Sequence, residues 1–379
     1  MNLKGVNYMC AQSITQQSIK KFNTNSILRV LESNDSISRT EIAKHTNLNK
    51  ATVSTIVKEL IAKGLVNDLG YGKSSGGKKP RLIELNSTAK YIIVIIIEAN
   101  IIEASILNLK LELLDTEKQN TKCTNKESIL KIITRLIAKL KINYSLKDTD
   151  LLQIGLTIPG IVNKNGYIVD APNLNWKDYN LIEELTKLHP EYTYRIINEA
   201  NAGAIGINHQ YPDVKNLIYL SVSQGVGTGI IINGELYKGE YGYSGEFGHT
   251  IIKENGKKCR CGQNGCFEQY VSEQAIYEIL EEKGIQLKEK TFSALNHLDS
   301  DITSEIYIKL SKFLNLGVLN IARIFDPELI ILGNHIANLK DNLDINNKVI
   351  NSNVKFNEES QASRKTGIAS IIRDKYLYE

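Results

Sequence analysis

Residues 91 to 97, Tyr-Ile-Ile-Val-Ile-Ile-Ile, form an unbroken apolar row. The row is about the length of a buried strand and far too short to cross a bilayer, which takes about 20 residues. The stretch around it, "KYIIVIIIEANIIEASILNLKLELLDTE", reads as consecutive strands in a meander, and "NKESILKIITRLIAKLK" reads as the helix after them. Another strand, "LLQIGLTIPGIVNK", leads into "GYIVDAPNLNWKDYNL". "YRIINEANAGAIGINH" reads as a helix, and "LIYLSVSQGVGTGIIINGELYKG" as a hairpin turned by Asn233-Gly234. The order β-β-β-α-β, followed again by strands and helices, predicts two α/β lobes with mixed sheets. A chain of 379 residues exceeds one ordinary core, so two or three domains are expected. The N-terminus lacks a signal peptide's apolar region, and cysteines are few. A reducing cytoplasm, with no membrane partner, is therefore expected.

Charge separates the first 90 residues from the rest. They hold 14 Lys and Arg against 6 Asp and Glu, whereas the whole chain holds 46 against 42. A basic head on a mildly acidic body points to a polyanionic partner for the head. Residues 16 to 33 read as a helix whose apolar face is Ile19, Phe22, Ile27, Val30 and Leu31. Ser38 and Glu41 have capping-box spacing and open a short helix through about His45. Thr46 to Leu48 make a turn, and Asn49 can cap the next helix. There Val53, Ile56, Val57, Leu60 and Ile61 form one buried stripe, with Gly64 at the C-terminal end.

The opposite face of that helix is short and polar between lysines, a composition suited to a DNA major groove. From its first turn and outer face, Asn49, Lys50, Ala51, Thr52, Ser54, Thr55 and Lys58 are the candidate DNA contacts. "LVNDLGYGKSSGGKKPRLIELN" reads as two strands joined by a glycine-rich basic loop, a wing whose Lys73, Lys78, Lys79 and Arg81 would meet phosphates. Helix-turn-helix, wing and positive charge together predict a winged-helix domain binding double-stranded operator DNA.

Three of the five cysteines, Cys259, Cys261 and Cys266, crowd into "KKCRCGQNGCFEQY". His249 stands ten residues before the first of them. One imidazole and three thiolates make a set that suits tetrahedral Zn²⁺ and leaves no open position for a substrate water. Such a site is structural rather than hydrolytic. Gly256, Gly262 and Gly265 would let the loop wrap around the ion. Glu246 and Glu268 flank the set, and carboxylates are good acceptors for paired sugar hydroxyls.

"LTIPGIV", "APNLNW", "NEANAGA", "GVGTGI", "SGEFGH", "CRCGQNGCFE" and "FDPELIILG" run in the order seen in the ROK family of sugar kinases and repressors. The chain resembles that family over most of residues 91 to 370, and its head resembles the repressor branch, the xylose repressors in particular. The resemblance implies an actin-like, ribonuclease H-like fold of two lobes with a sugar bound in the cleft. It assigns zinc to His249, Cys259, Cys261 and Cys266. It also implies a sugar site lined by Asn198, Glu199, Glu246, His249 and Glu268. Asn173 can add a hydrogen bond, and Trp176, the only tryptophan, an apolar wall. The expected segments are a head over 1–90, a first lobe over 91–198 completed by 360–379, and a second lobe with the cysteine loop over 199–359.

The kinases of the family carry Asp where this chain has Glu199. The extra methylene moves the carboxylate by about 1 Å, a displacement that can lower a rate by about 10²-fold. Their first strand ends in Asp-x-Gly-Gly-Thr. Here the corresponding Glu98-Ala99-Asn100-Ile101-Ile102-Glu103 has no glycine and sets two acids where phosphates would lie, which opposes ATP. Asn334 follows Gly333 where kinases keep another glycine. Gly225, Gly227 and Gly229 fit a tight turn as well as a nucleotide. The expectation is a repressor of sugar-utilisation genes without kinase activity, acting as a homodimer on a palindromic operator. Xylose is the expected effector, with glucose as the other candidate. The alternative is an ATP-dependent ROK sugar kinase with an appended DNA-binding head. A third reading is a DNA-binding protein with a vestigial sensor.

Overall fold

In the computed structural model, which describes residues 15–72, 79–122, 125–287, 291–345 and 351–379, the chain divides into two units. The first comprises Met1–Lys90, Asn108–Lys110 and Arg373–Glu379. The second comprises Tyr91–Leu107 and Leu111–Ile372. Cys10, Cys123, Lys73 and Lys78 lie outside the described residues.

The head is built on three helices and a small sheet. Helix α1 (Gln16–Glu32) buries Ile27, Leu28 and Leu31. Ile19 and Phe22, expected on that face, are instead 48% and 72% exposed, because the head's core meets only the last turns of the helix. Strand β1 (Ile37–Ser38) runs into α2 (Arg39–Thr46) through the expected capping box. The Glu41 amide donates to Ser38 Oγ at 3.2 Å, and the Ser38 amide donates to Glu41 Oε2 at 2.9 Å. Asn47 takes a left-handed conformation at the turn. Helix α3 (Lys50–Ala62) is capped by Asn49, whose Oδ1 accepts from the Thr52 amide at 2.7 Å. It buries Val53, Ile56, Val57 and Leu60. Strands β2 (Val66–Tyr71) and β3 (Arg81–Leu85) pair antiparallel, and β1 joins the other edge of β3. Within this unit Arg373 pairs with Glu32 at 3.5 Å, and Arg29 lies over the Tyr378 ring.

The body opens with β4 (Tyr91–Glu98), β5 (Ile101–Asn108) and β6 (Leu113–Asn120), then α4 (Lys126–Asn143) and β7 (Leu151–Ile158). Three short strands, β8 (Ile161–Val162), β9 (Ile168–Ala171) and β10 (Trp176–Tyr179), form a separate antiparallel sheet ahead of α5 (Leu181–Leu188). The segment read as one helix from Tyr194 is strand β11 (Tyr194–Asn198) followed by α6 (Glu199–Gln210). Its β-branched start pairs with β7, and the helix begins only where Asn198 caps it. The first lobe's sheet therefore runs β11-β7-β4-β5-β6, with β11 and β4 both parallel to β7.

The second lobe repeats this order. Its strands are β12 (Leu217–Val222), β13 (Val226–Ile232) and β14 (Glu235–Leu236), then β15 (Leu329–Gly333) and β16 (Asn353–Asn357). They are arranged β14-β13-β12-β15-β16, with β15 parallel to both β12 and β16. Asn233 and Gly234 both take positive φ and turn β13 into β14, as expected. Between these strands come α7 (Glu268–Val271), α8 (Glu273–Glu282) and α9 (Ser300–Phe325), and α10 (Ser360–Tyr378) closes the chain.

The apolar row of β4 is explained by cover on both faces. Ile93, Ile95 and Ile97 belong to a core with Ile129, Ile133 and Ile137 of α4. Ile92, Val94 and Ile96 share another with Ile368, Ala369 and Ile372 of α10. Helices α6 and α10 meet backbone to backbone. A Cβ at Gly206 would overlap the Ser363 carbonyl, and one at Gly367 would overlap the Ala202 carbonyl.

Candidate functional site

The cysteine loop folds back on the segment that carries His249. Ile251 bridges to Cys266, and Lys258 to Asn264. The Cys259 amide donates to the Gln263 carbonyl at 2.8 Å, and the Gly265 amide to the Lys257 carbonyl at 2.8 Å. Gly262 and Gly265 hold φ of 93° and 81°, and a side chain at Gly265 would overlap the Lys253 carbonyl. The result gathers His249, Cys259, Cys261 and Cys266 so that their ligand atoms all lie within 4.8 Å of one another. Cys259 Sγ is 3.5 Å from His249 Nδ1, and Cys261 Sγ is 3.5 Å from Cys266 Sγ. Burial and the neighbouring sulfurs push the Cys266 thiol up to about 12. Three thiolates at this spacing repel one another, and a divalent cation is what lets them ionise together. The donor set fits a four-coordinate metal ion.

Beside the cluster lies a cleft of about 660 Å³. Asn173, Asn198, Glu199, Glu246, His249 and Glu268 all line it. Glu246 sits just before the short turn Phe247–His249, with Oε2 3.9 Å from His249 Nε2. Burial, reinforced by the charge of Glu268, raises its carboxyl to about 7. Glu268 opens α7, is 5% exposed, and accepts from the Val226 amide at 3.1 Å. A side chain at Gly225 would come within 2.9 Å of Glu268 Oε2, so the glycine leaves that carboxylate room. Asn198 is largely committed to structure: its Oδ1 caps α6 and its Nδ2 donates to the Gly160 carbonyl at 2.8 Å. Trp176 does not wall the cleft. It is 1% exposed, edge-on to Tyr179 at 5.2 Å, inside the first lobe's core.

Among the cleft residues that the sequence reading did not single out, two make informative contacts, Arg260 and His335. Arg260, between two cysteines of the loop, donates to Asn173 Oδ1 at 2.9 Å and lies 3.6 Å from Glu268. It thereby ties the cysteine loop to the first lobe. His335 faces the cleft and pairs with the buried Glu273 at 3.0 Å, which raises its pKa. Glu98 lines the cleft as well, whereas Glu103, expected beside it, does not. Glu103 is 2% exposed and paired with Lys118 and with Lys365 of α10.

Glu98 and Glu199 are joined by a third charge. Arg364 of α10, only 2% exposed, donates to Glu98 Oε1 at 2.7 Å and to Glu199 Oε2 at 2.8 Å. These two carboxylates keep the guanidinium protonated despite its burial. The Glu199 carboxylate is thus held by an arginine where a base would need to be open to a hydroxyl. The glycines of "GVGTG" have a packing role besides. A side chain at Gly229 would overlap the Ala200 carbonyl of α6. Asn334 carries φ of 68°, a left-handed position that asparagine tolerates.

In the head, Asn49, Lys50, Ala51, Thr55 and Lys58 are exposed along one side of α3, while Thr52 and Ser54 are half-buried. Thr55 Oγ1 donates to the Ala51 carbonyl at 3.0 Å. Lys79 is exposed, and Arg81 pairs with Asp68 at 2.7 Å.

The ROK family model matches residues 93–369. The chain belongs to the ROK family. A winged helix-turn-helix DNA-binding model matches residues 23–67. The chain is 35% identical over 323 residues to the xylose repressor of Bacillus spizizenii, covering 85% of this chain and 84% of that one. Among solved structures, a ROK family transcriptional regulator, a homolog of the Escherichia coli MLC protein, superimposes with a TM-score of 0.76 at 22% identity. That match covers 95% of this chain and 98% of the other. A ROK family glucokinase from Streptomyces griseus, in complex with glucose and AMPPNP, gives 0.60 at 20% identity over 74% of this chain and 98% of its own. At these identities the two structures bear on fold. The chain combines an N-terminal winged helix-turn-helix with the two-lobed, actin-like ROK fold.

Proposed function

We propose that this ROK protein is a sugar-responsive transcriptional repressor whose effector is xylose, with glucose as a competing candidate. The observation that carries the reading is the meeting of Asn173, Asn198, Glu199, Glu246, His249 and Glu268 in one cleft. That cleft belongs to a chain whose head has a DNA-binding fold. The 35% identity to a xylose repressor supports both the role and the sugar. Glu246 and Glu268 accept from vicinal hydroxyls, and Arg260 supplies a donor. Zn²⁺ is the ion best matched to the Cys₃His donors. When bound, it would hold His249 against the cysteine loop, which ends at Glu268, so that both present a constant geometry. Sugar binding in the cleft then favours one arrangement of the lobes. In a homodimer on a two-half-site operator, this changes how well both α3 helices fit the major groove. Asn49, Lys50, Ala51, Thr52, Thr55, Lys58, Lys79 and Arg81 are the proposed DNA contacts.

The kinase alternative is disfavoured by the Arg364 bridge, which occupies the Glu199 carboxylate, and by the glycine-free turn after β4. Operator binding followed by fluorescence anisotropy, with and without D-xylose, tests the sensing role. A shift in affinity with xylose is expected, and identical curves across pentoses and hexoses would sink it. Incubation with ATP and the same sugars is expected to yield no sugar phosphate.

A further inference from the structure

The body holds a second cavity, of about 180 Å³, which shares Asn198 with the ligand cleft but differs from it in chemistry. The cleft is rich in carboxylates. The second cavity is lined by three cationic side chains, Lys164, Arg195 and Lys238, and by no Asp or Glu among the described residues. Lys164 reaches Glu240 at 3.2 Å, a pair that is exposed on both sides. Arg195 and Lys238 have no ion-pair partner among the described residues. Arg195, half-buried, has its Nε buried without a hydrogen-bond partner. Lys238, although exposed, is held below its ordinary pKa by partial desolvation and by the charge of Arg195.

Like charges sharing a concave site repel, and no carboxylate of the lining stands between Arg195 and Lys238 to offset this. What the cavity offers is a half-buried guanidinium whose Nε has no acceptor and two exposed ammonium groups, with no carboxylate in the lining. That is the complement of an oxyanion, which accepts several charge-assisted hydrogen bonds at once. Size narrows the class. The volume equals about six waters' share of the liquid, and it lies below the roughly 300–1,000 Å³ of pockets for drug-sized ligands. It therefore excludes a nucleotide and admits an anion with a short carbon skeleton, for which Ile182 and Ile197 supply apolar wall.

We propose that this cavity is a second ligand site, taking a small oxyanion of the phosphate or phosphate-monoester class between Arg195 and Lys238. The proposal is independent of what fills the neighbouring cleft.

The test is isothermal titration of the full chain at constant ionic strength with inorganic phosphate and with glycerol 3-phosphate, against chloride as control. Saturable binding of one or both is expected, with no saturable heat from chloride. Tighter binding of the ester would identify a phosphorylated metabolite as the occupant, and equal binding would identify the free ion. Lys238→Met and Arg195→Met should each weaken binding at least 10-fold. Glu246→Gln in the cleft and Lys50→Met in the head should leave it unchanged. Removing one of two repelling cations should not impair folding, so Lys238→Met should melt no lower than the parent chain without anion. Lys238→Gln gives a second, polar replacement if the methionine variant is insoluble. No saturable binding of either anion, or affinity unchanged in the Lys238 and Arg195 variants, would overturn the proposal.

Discussion

Arg364 anchors two carboxylates of the cleft, Glu98 and Glu199. It is buried with two carboxylates within 2.8 Å, so its loss would leave Glu98 and Glu199 facing each other without a counter-charge. Breaking a buried ion network from one side typically costs about 3–5 kcal/mol. Arg364→Met should therefore lower the urea midpoint by a corresponding amount. The triple variant Glu98→Gln, Glu199→Gln, Arg364→Met should recover most of the loss. A single variant no less stable than the parent would refute the assigned role. Glu103 permits a second check. Burial alone would raise its carboxyl, yet Lys118 and Lys365 hold it below its ordinary value. Its contribution is thus present above the ordinary carboxylate range and is lost as pH falls through the depressed folded value. Glu103→Gln should flatten the acid limb of stability against pH, measured by urea unfolding, and an unchanged limb would contradict the pairing. Neither network was legible in the sequence. Residues 98, 199 and 364 share no spacing, and only the packing of α6 on α10 brings them together. The cluster of His249, Cys259, Cys261 and Cys266, by contrast, was legible, because one short loop and a histidine just before it hold the whole set.

At the scale of elements, local signals were read well wherever a side chain bonds its own neighbourhood. The capping box at Ser38, the Asn49 cap and the Asn233-Gly234 turn all involve partners within a few residues. The reading failed where a tertiary neighbour decided the outcome. Tyr194 to Asn198 became a strand because β7 offers it an edge, and Ile19 and Phe22 stayed exposed because the head's core ends at Ile27. The cysteine loop is the element most open to test. Gly265→Ala would place a methyl against the Lys253 carbonyl at a φ that side chains rarely adopt. The variant should purify with well under one metal ion per chain by plasma mass spectrometry, whereas Gly262→Ala, with open space around it, should retain more. Equal metal content in the two variants would contradict this account of the loop.

For the whole molecule, the two lobes repeat one strand order, and the Cys₃His cluster belongs to the body while helix α3 of the winged helix-turn-helix belongs to the head. Graded chelation should therefore diminish the response to sugar before it diminishes operator binding, as followed by anisotropy at rising chelator concentration. Loss in the opposite order would refute the division of labour. The Arg364 bridge also bears on how such a chain can change over generations. Shortening Glu199 to the Asp of the family's kinases withdraws a carboxylate from a guanidinium that has no route to water. Removing Arg364 first exposes two acids to each other. Either first step passes through a less stable protein, so freeing the Glu199 position from this bridge asks for compensating changes at Glu98 or Arg364.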